Sequence, residues 1–97
     1  MEITSVRVFP VSEEKLRAFA TVIFDSCFVV TDIKIIRGSS GLFISMPSRR
    51  RKDGSFKDVA HPLNSGTRRM IEERIIAEYE RMNEQGISPE GIDPAIH

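Results

Sequence analysis

Four consecutive cations, Arg49, Arg50, Arg51 and Lys52, stand just after Met46-Pro47-Ser48 and just before Asp53-Gly54. Lys57 continues the charge, and Arg68 and Arg69 follow at what reads as the first turn of a helix. Such a set is suited to holding phosphate oxygens, and Arg forks can read guanine edges where they reach a groove. The simplest reading of a cationic quartet is a solvated loop. Two features favour a ligand instead. Arg68 and Arg69 oppose the macrodipole of a helix start, which disfavours cations there by about a few tenths of a kcal/mol. The free amides expected around Ser65-Gly66-Thr67 make a ready anion site beside them. Phe56 is the one aromatic near the run, so stacking on single-stranded bases is not strongly indicated.

Other chemistries find little support. Cys27 is the single cysteine and lies in an apolar run, which reads as a small buried hydrophobe in a reducing compartment. The only imidazoles, His61 and His97, have no spacing that would make a metal site. Gly38-Ser39-Ser40-Gly41 lacks the Lys-Ser/Thr and the following helix of a phosphate-cradling loop. The acids fall in turns or on the wet face of the helix, not as a pair in a pocket. No catalytic group, metal or cofactor is implied, and the chain reads as a non-enzyme. His61 lies between Ala60 and Pro62 at a strand end, so it is expected to bond backbone and fix a sheet-to-helix corner. Pro62 and a helix cap at Asn64 or Ser65 complete that corner.

The elements that must position these residues are mostly strands. Residues 2–10 read as a strand, with a break in alternation between Ile3 and Val6 that suggests a bulge. In residues 15–24, Leu16, Ala18, Ala20, Val22 and Phe24 share one face. Asp25-Ser26 is a turn. In residues 27–37, Val29, Thr31, Ile33 and Ile35 are expected on one face, opposite Phe28, Val30, Asp32, Lys34 and Ile36. Leu42 to Met46 is a short strand, residues 49–52 a loop, and Phe56 to His61 a weak fifth strand. Ile71, Ile75, Tyr79 and Met82 recur at helical spacing, which predicts an amphipathic helix over 65–84. The expected fold is α+β: an antiparallel sheet of four to five strands followed by one long C-terminal helix. Residues 1–86 form a single domain, and 87–97 read as a mobile tail.

The totals bound the partners. The chain has 97 residues, 14 Lys/Arg and 14 Asp/Glu. Neutrality hides polarity: residues 34–69 hold nine Lys/Arg against Asp53 and Asp58, a net +7. A neutral total can therefore conceal a basic face. The middle strands are apolar on both faces, and one helix covers only one, so a homodimer is expected. The N-terminus does not read as a signal peptide, and no apolar run approaches the ~20 residues of a membrane span. A soluble cytoplasmic protein without membrane insertion is expected.

The stretch Gly41-Leu42-Phe43-Ile44-Ser45-Met46-Pro47-Ser48-Arg49-Arg50, then Asp53-Gly54, then Asp58-Val59-Ala60-His61-Pro62-Leu63-Asn64-Ser65-Gly66-Thr67-Arg68, resembles the signature of the stage V sporulation protein G family, also called septation proteins. Residues 1–7 and 28–36 resemble it too, so the likeness spans roughly 1–84. It implies a small bacterial cytoplasmic dimer that binds double-stranded DNA, and in some members RNA, with roles in septation, sporulation and gene regulation. It also implies that the cations after the Met-Pro-Ser turn, here Arg49, Arg50, Arg51 and Lys52, meet nucleic acid. Arg68 matches the family pattern. Lys57 and Arg69 join the site on charge alone. The rival expectation is an adaptor in cell division whose basic loop docks an acidic protein partner.

Overall fold

The computed structural model describes residues 1–84, so the reading of 87–97 as a tail lies outside the described residues. Four strands, β1 (Ile3–Pro10), β2 (Leu16–Phe24), β3 (Phe28–Gly38) and β4 (Gly41–Ser45), form one antiparallel meander in the order β1-β2-β3-β4. Two short strands follow, β5 (Ser48–Arg50) and β6 (Phe56–Asp58), and then helix α1 (Ser65–Glu84). The architecture is α+β, with an antiparallel sheet and one C-terminal helix, as the patterning implies. One helix of 20 residues spans about 30 Å, enough to cross the sheet.

The core lies between α1 and one sheet face. Ala18, Ala20, Val22 and Phe24 alternate inward along β2, and Ile35 and Ile44 meet them from β3 and β4. Ile71, Ile75 and Tyr79 close it from the helix. The small β2 residues let the helix approach the sheet closely. Asn64, not Ser65, caps the helix: its Oδ1 accepts from Thr67 N–H at 2.7 Å.

Two irregularities set which side chains face in. In β1 the register shifts between Ile3 and Ser5, so the bulge expected there is present. In β3 the structure corrects the expected alternation. Ala20 and Val22 are two positions apart on β2, but their partners Ile33 and Val30 are three apart. The extra residue is accommodated at Asp32, whose φ is +61°. Asp tolerates this left-handed conformation better than the β-branched residues around it. The face therefore switches: Val30 packs on the core with Ile33 and Ile35, while Val29 and Thr31 are exposed. Strict period-two counting from Val29 to Ile35 fails because it crosses that bulge.

A second correction concerns the cationic run. Arg49 and Arg50 are strand, not loop. The weak fifth strand is real at Phe56–Asp58, but it pairs with β5 in a separate two-stranded ribbon and does not join the main sheet. Cys27 is also reassigned. It is exposed, next to Asp25 and Ser26 in the β2–β3 turn, where φ values of 50° and 55° make a tight left-handed corner.

Candidate nucleic-acid interface

The ribbon is built by its turn. Arg51 N–H donates to the Ser55 carbonyl at 2.7 Å, and Gly54 N–H donates to the Arg51 carbonyl at 3.0 Å. Gly54 takes φ +91°, a backbone that L side chains resist, so the Asp53-Gly54 pair is what closes the hairpin. Asp53 accepts from both the N–H and the hydroxyl of Ser55, at 2.9 and 2.6 Å. Those bonds hold its carboxyl below the usual carboxylate range, the hydroxyl bond contributing most. The one acid at the tip is thus tied into the turn itself. At the other end, Val59 N–H donates to the Pro47 carbonyl at 2.7 Å and fastens the ribbon's base to the end of β4.

Pairing then distributes the cations. Arg49 stands opposite Lys57 and Arg50 opposite Phe56. Paired residues share a face and neighbours along a strand alternate. One face therefore carries Arg49 with Lys57, the other Arg50 with Phe56, and Arg51 and Lys52 crown the turn. All five cations are exposed. Among the described residues the one salt bridge is Arg81–Glu78 on α1, so no carboxylate neutralises the ribbon by direct pairing. Arg49 beside Lys57 also places two like charges at a cross-strand site, which is locally unfavourable. A polyanion would reverse that repulsion.

The remaining candidates separate. Arg69 is exposed in the first turn of α1. Arg68 is half-buried and turned inward: its guanidinium donates to the Ile44 carbonyl at 2.7 Å. Glu72, one turn on, accepts from Ile44 N–H at 3.1 Å. Together they satisfy the N–H and C=O that Ile44 would otherwise present at the free edge of β4. The unfavourable place of Arg68 at a helix start therefore has a structural cause, and the Asn64 cap already occupies the Thr67 amide of the supposed anion site. Sequence spacing could not show this, because the partner of Arg68 is backbone 24 residues away.

The corner residues make local bonds. Asn64 is the cap. His61 is exposed, and its Nδ1 lies 2.9 Å from the Pro62 carbonyl, a local bond that turns the chain. Ser65 opens the helix. His61 and Lys57 also line a mainly apolar groove of ≈ 590 Å³ between this corner, the start of α1 and the sheet end at Phe28.

The SpoVG family profile matches residues 1–81 of the chain. A protein of Anaeromyxobacter sp. (strain Fw109-5), named "Putative septation protein SpoVG", is 61% identical over 89 residues, covering 92% of each chain. A relative of the same name from Myxococcus xanthus is 59% identical over 81 residues, covering 84% of this chain and 82% of its own. Another, from Thermoanaerobacter sp. (strain X514), is 55% identical over 86 residues, covering 88% and 94%.

Proposed function

The chain belongs to the SpoVG family, whose relatives are named for septation, and from that premise we propose that it is a nucleic-acid-binding regulator, without catalysis, acting through the cationic ribbon. The observation that carries the reading is the ribbon itself: Arg49, Arg50, Arg51, Lys52 and Lys57 on an antiparallel hairpin, exposed and, among the described residues, without a carboxylate salt bridge. A two-stranded ribbon has the width to enter a major groove, and exposed Arg and Lys suit the phosphates beside it. The turn fastened by Asp53, Ser55 and Gly54 reduces the ordering cost on binding, because the cations are already arrayed. Arg69, exposed at the helix start, is a further cation in this proposal. Arg68 is left out of it, as a support for β4.

The acting unit in this proposal is a homodimer. The sheet face away from α1 carries Phe9 (53% exposed) and Phe43 (43% exposed), with Phe19, Ile23 and Ile36 half-buried among them. An apolar face of that breadth favours burial against a second copy. Two ribbons in one two-fold assembly suit duplex DNA, where half-sites repeat.

The test is a binding titration on duplex DNA, comparing the native chain with Arg49→Ala/Arg50→Ala/Arg51→Ala. The variant is expected to bind at least about tenfold more weakly and with a shallower salt dependence. Equal affinity at every salt concentration would remove the ribbon from the function.

A further inference from the structure

We infer that Phe56 is a base-stacking residue, and that the ribbon takes single-stranded nucleic acid with an unpaired base laid on its ring. This rests on the phosphate-binding reading above and names a ligand class for the same site. The hairpin register sets Phe56 directly opposite Arg50, a relation hidden in the sequence, where the two are separated by the whole turn. Opposed Cβ atoms in an antiparallel pair stand about 5 Å apart. The Phe56 and Arg50 side chains thus leave the same face of the ribbon from opposed positions. The Arg50 guanidinium leans over the turn, since a Cβ placed on Gly54 would lie 3.8 Å from its Nη2. That brings it toward the tip cations.

Phe56 is 70% exposed, the most exposed of the described phenylalanines. It is absent from both the buried core and the apolar residues packed against it. All three residues of β6 are exposed. The ring therefore contributes little to folding, yet it stands on a strand paired into the cationic hairpin. An aromatic ring flanked by Arg is the arrangement that binds unpaired bases: the base stacks on the ring, and the adjacent cations hold the phosphates on either side. A guanidinium can stack as well, so Arg50 extends the platform. Bases within a duplex already stack on one another and would have to leave the helix to reach Phe56. The ring accordingly adds affinity for unpaired strands beyond the phosphate contacts that single strand and duplex share.

The chain contains no Trp, so Phe56→Trp supplies a single emission reporter at this point. Titration with a single-stranded oligothymidine is expected to quench that emission, and a duplex of equal length to leave it nearly unchanged. In parallel, Phe56→Leu keeps an apolar strand residue but removes the aromatic face. Its single-strand affinity is expected to fall about fivefold or more, with duplex affinity and sedimentation as in the native chain. Equal single-strand affinity for Phe56→Leu and the native chain would overturn the inference and leave phosphate binding by the ribbon intact. So would an equal loss on both ligands, or a change of oligomeric state, which would place Phe56 in a contact between copies. Failure of the native chain to bind either nucleic acid would overturn the underlying reading as well.

Discussion

Arg68 and Arg49 show how one residue type divides between two tasks. Arg49 faces solvent opposite Lys57, whereas Arg68 donates to the Ile44 carbonyl from a half-buried position. Removing Arg68 leaves that edge carbonyl without its charged donor. We expect Arg68→Ala to lower stability by about 1–3 kcal/mol in urea unfolding. Duplex affinity of the folded protein should stay within about twofold of the native chain. A stability unchanged by the substitution, with affinity lost, would instead return Arg68 to the binding surface. The charge of both arginines was plain in the sequence. Their roles were not, because a guanidinium's partner is decided by what the fold brings within 3 Å, and here that was main chain from another element.

At the scale of elements, the strands and the helix were legible because their apolar spacing is regular. Ala18 to Phe24 alternate cleanly, and Ile71, Ile75 and Tyr79 keep helical spacing, so both elements appear where the pattern puts them. The reading failed where a single residue breaks a period. Asp32, at φ +61°, shifts β3 by one position and reverses which of Val29 and Val30 faces in. A β-branched residue there would be strained by about 1–3 kcal/mol. Asp32→Val is therefore expected to destabilise by roughly that amount, whereas Asp32→Gly should cost less, as both melting curves would show. Equal stability of Asp32→Val and the native chain would mean that the bulge is not fixed at this residue. The ribbon was missed for a different reason. Six charged or glycine positions in a row carry no period, and β5 becomes a strand only because the Asp53-Gly54 turn folds Phe56–Asp58 back onto it. The turn signal was present, and it marked a hairpin rather than a loop.

At the scale of the whole molecule, the charge and the uncovered apolar surface belong to different sheets. The ribbon extends from the end of β4, while Phe9 and Phe43 lie on the sheet face opposite α1. Dimerisation through that face would bring the base of each ribbon near the contact, since Pro47, Ser48 and Val59 line one pocket with Phe19 and Val29. Placing a carboxylate in an apolar contact opposes association strongly, so Phe43→Glu is expected to shift sedimentation from dimer toward monomer while the helical signal is retained. A native chain that sediments as an 11.0 kDa monomer at micromolar concentration would exclude the two-ribbon assembly. Among the described residues no helix is long and apolar enough to cross a membrane. The exposed cationic hairpin stands on a sheet-and-helix base.

The most direct measurement is the slope of log binding constant against log salt concentration for the native chain and for Arg49→Ala/Arg50→Ala/Arg51→Ala on the same duplex. Each lost phosphate contact reduces the slope by about 0.9, so losing two or three contacts predicts a reduction of roughly 2–3. An unchanged slope would contradict the account, because it would mean that the ribbon's arginines never meet phosphate.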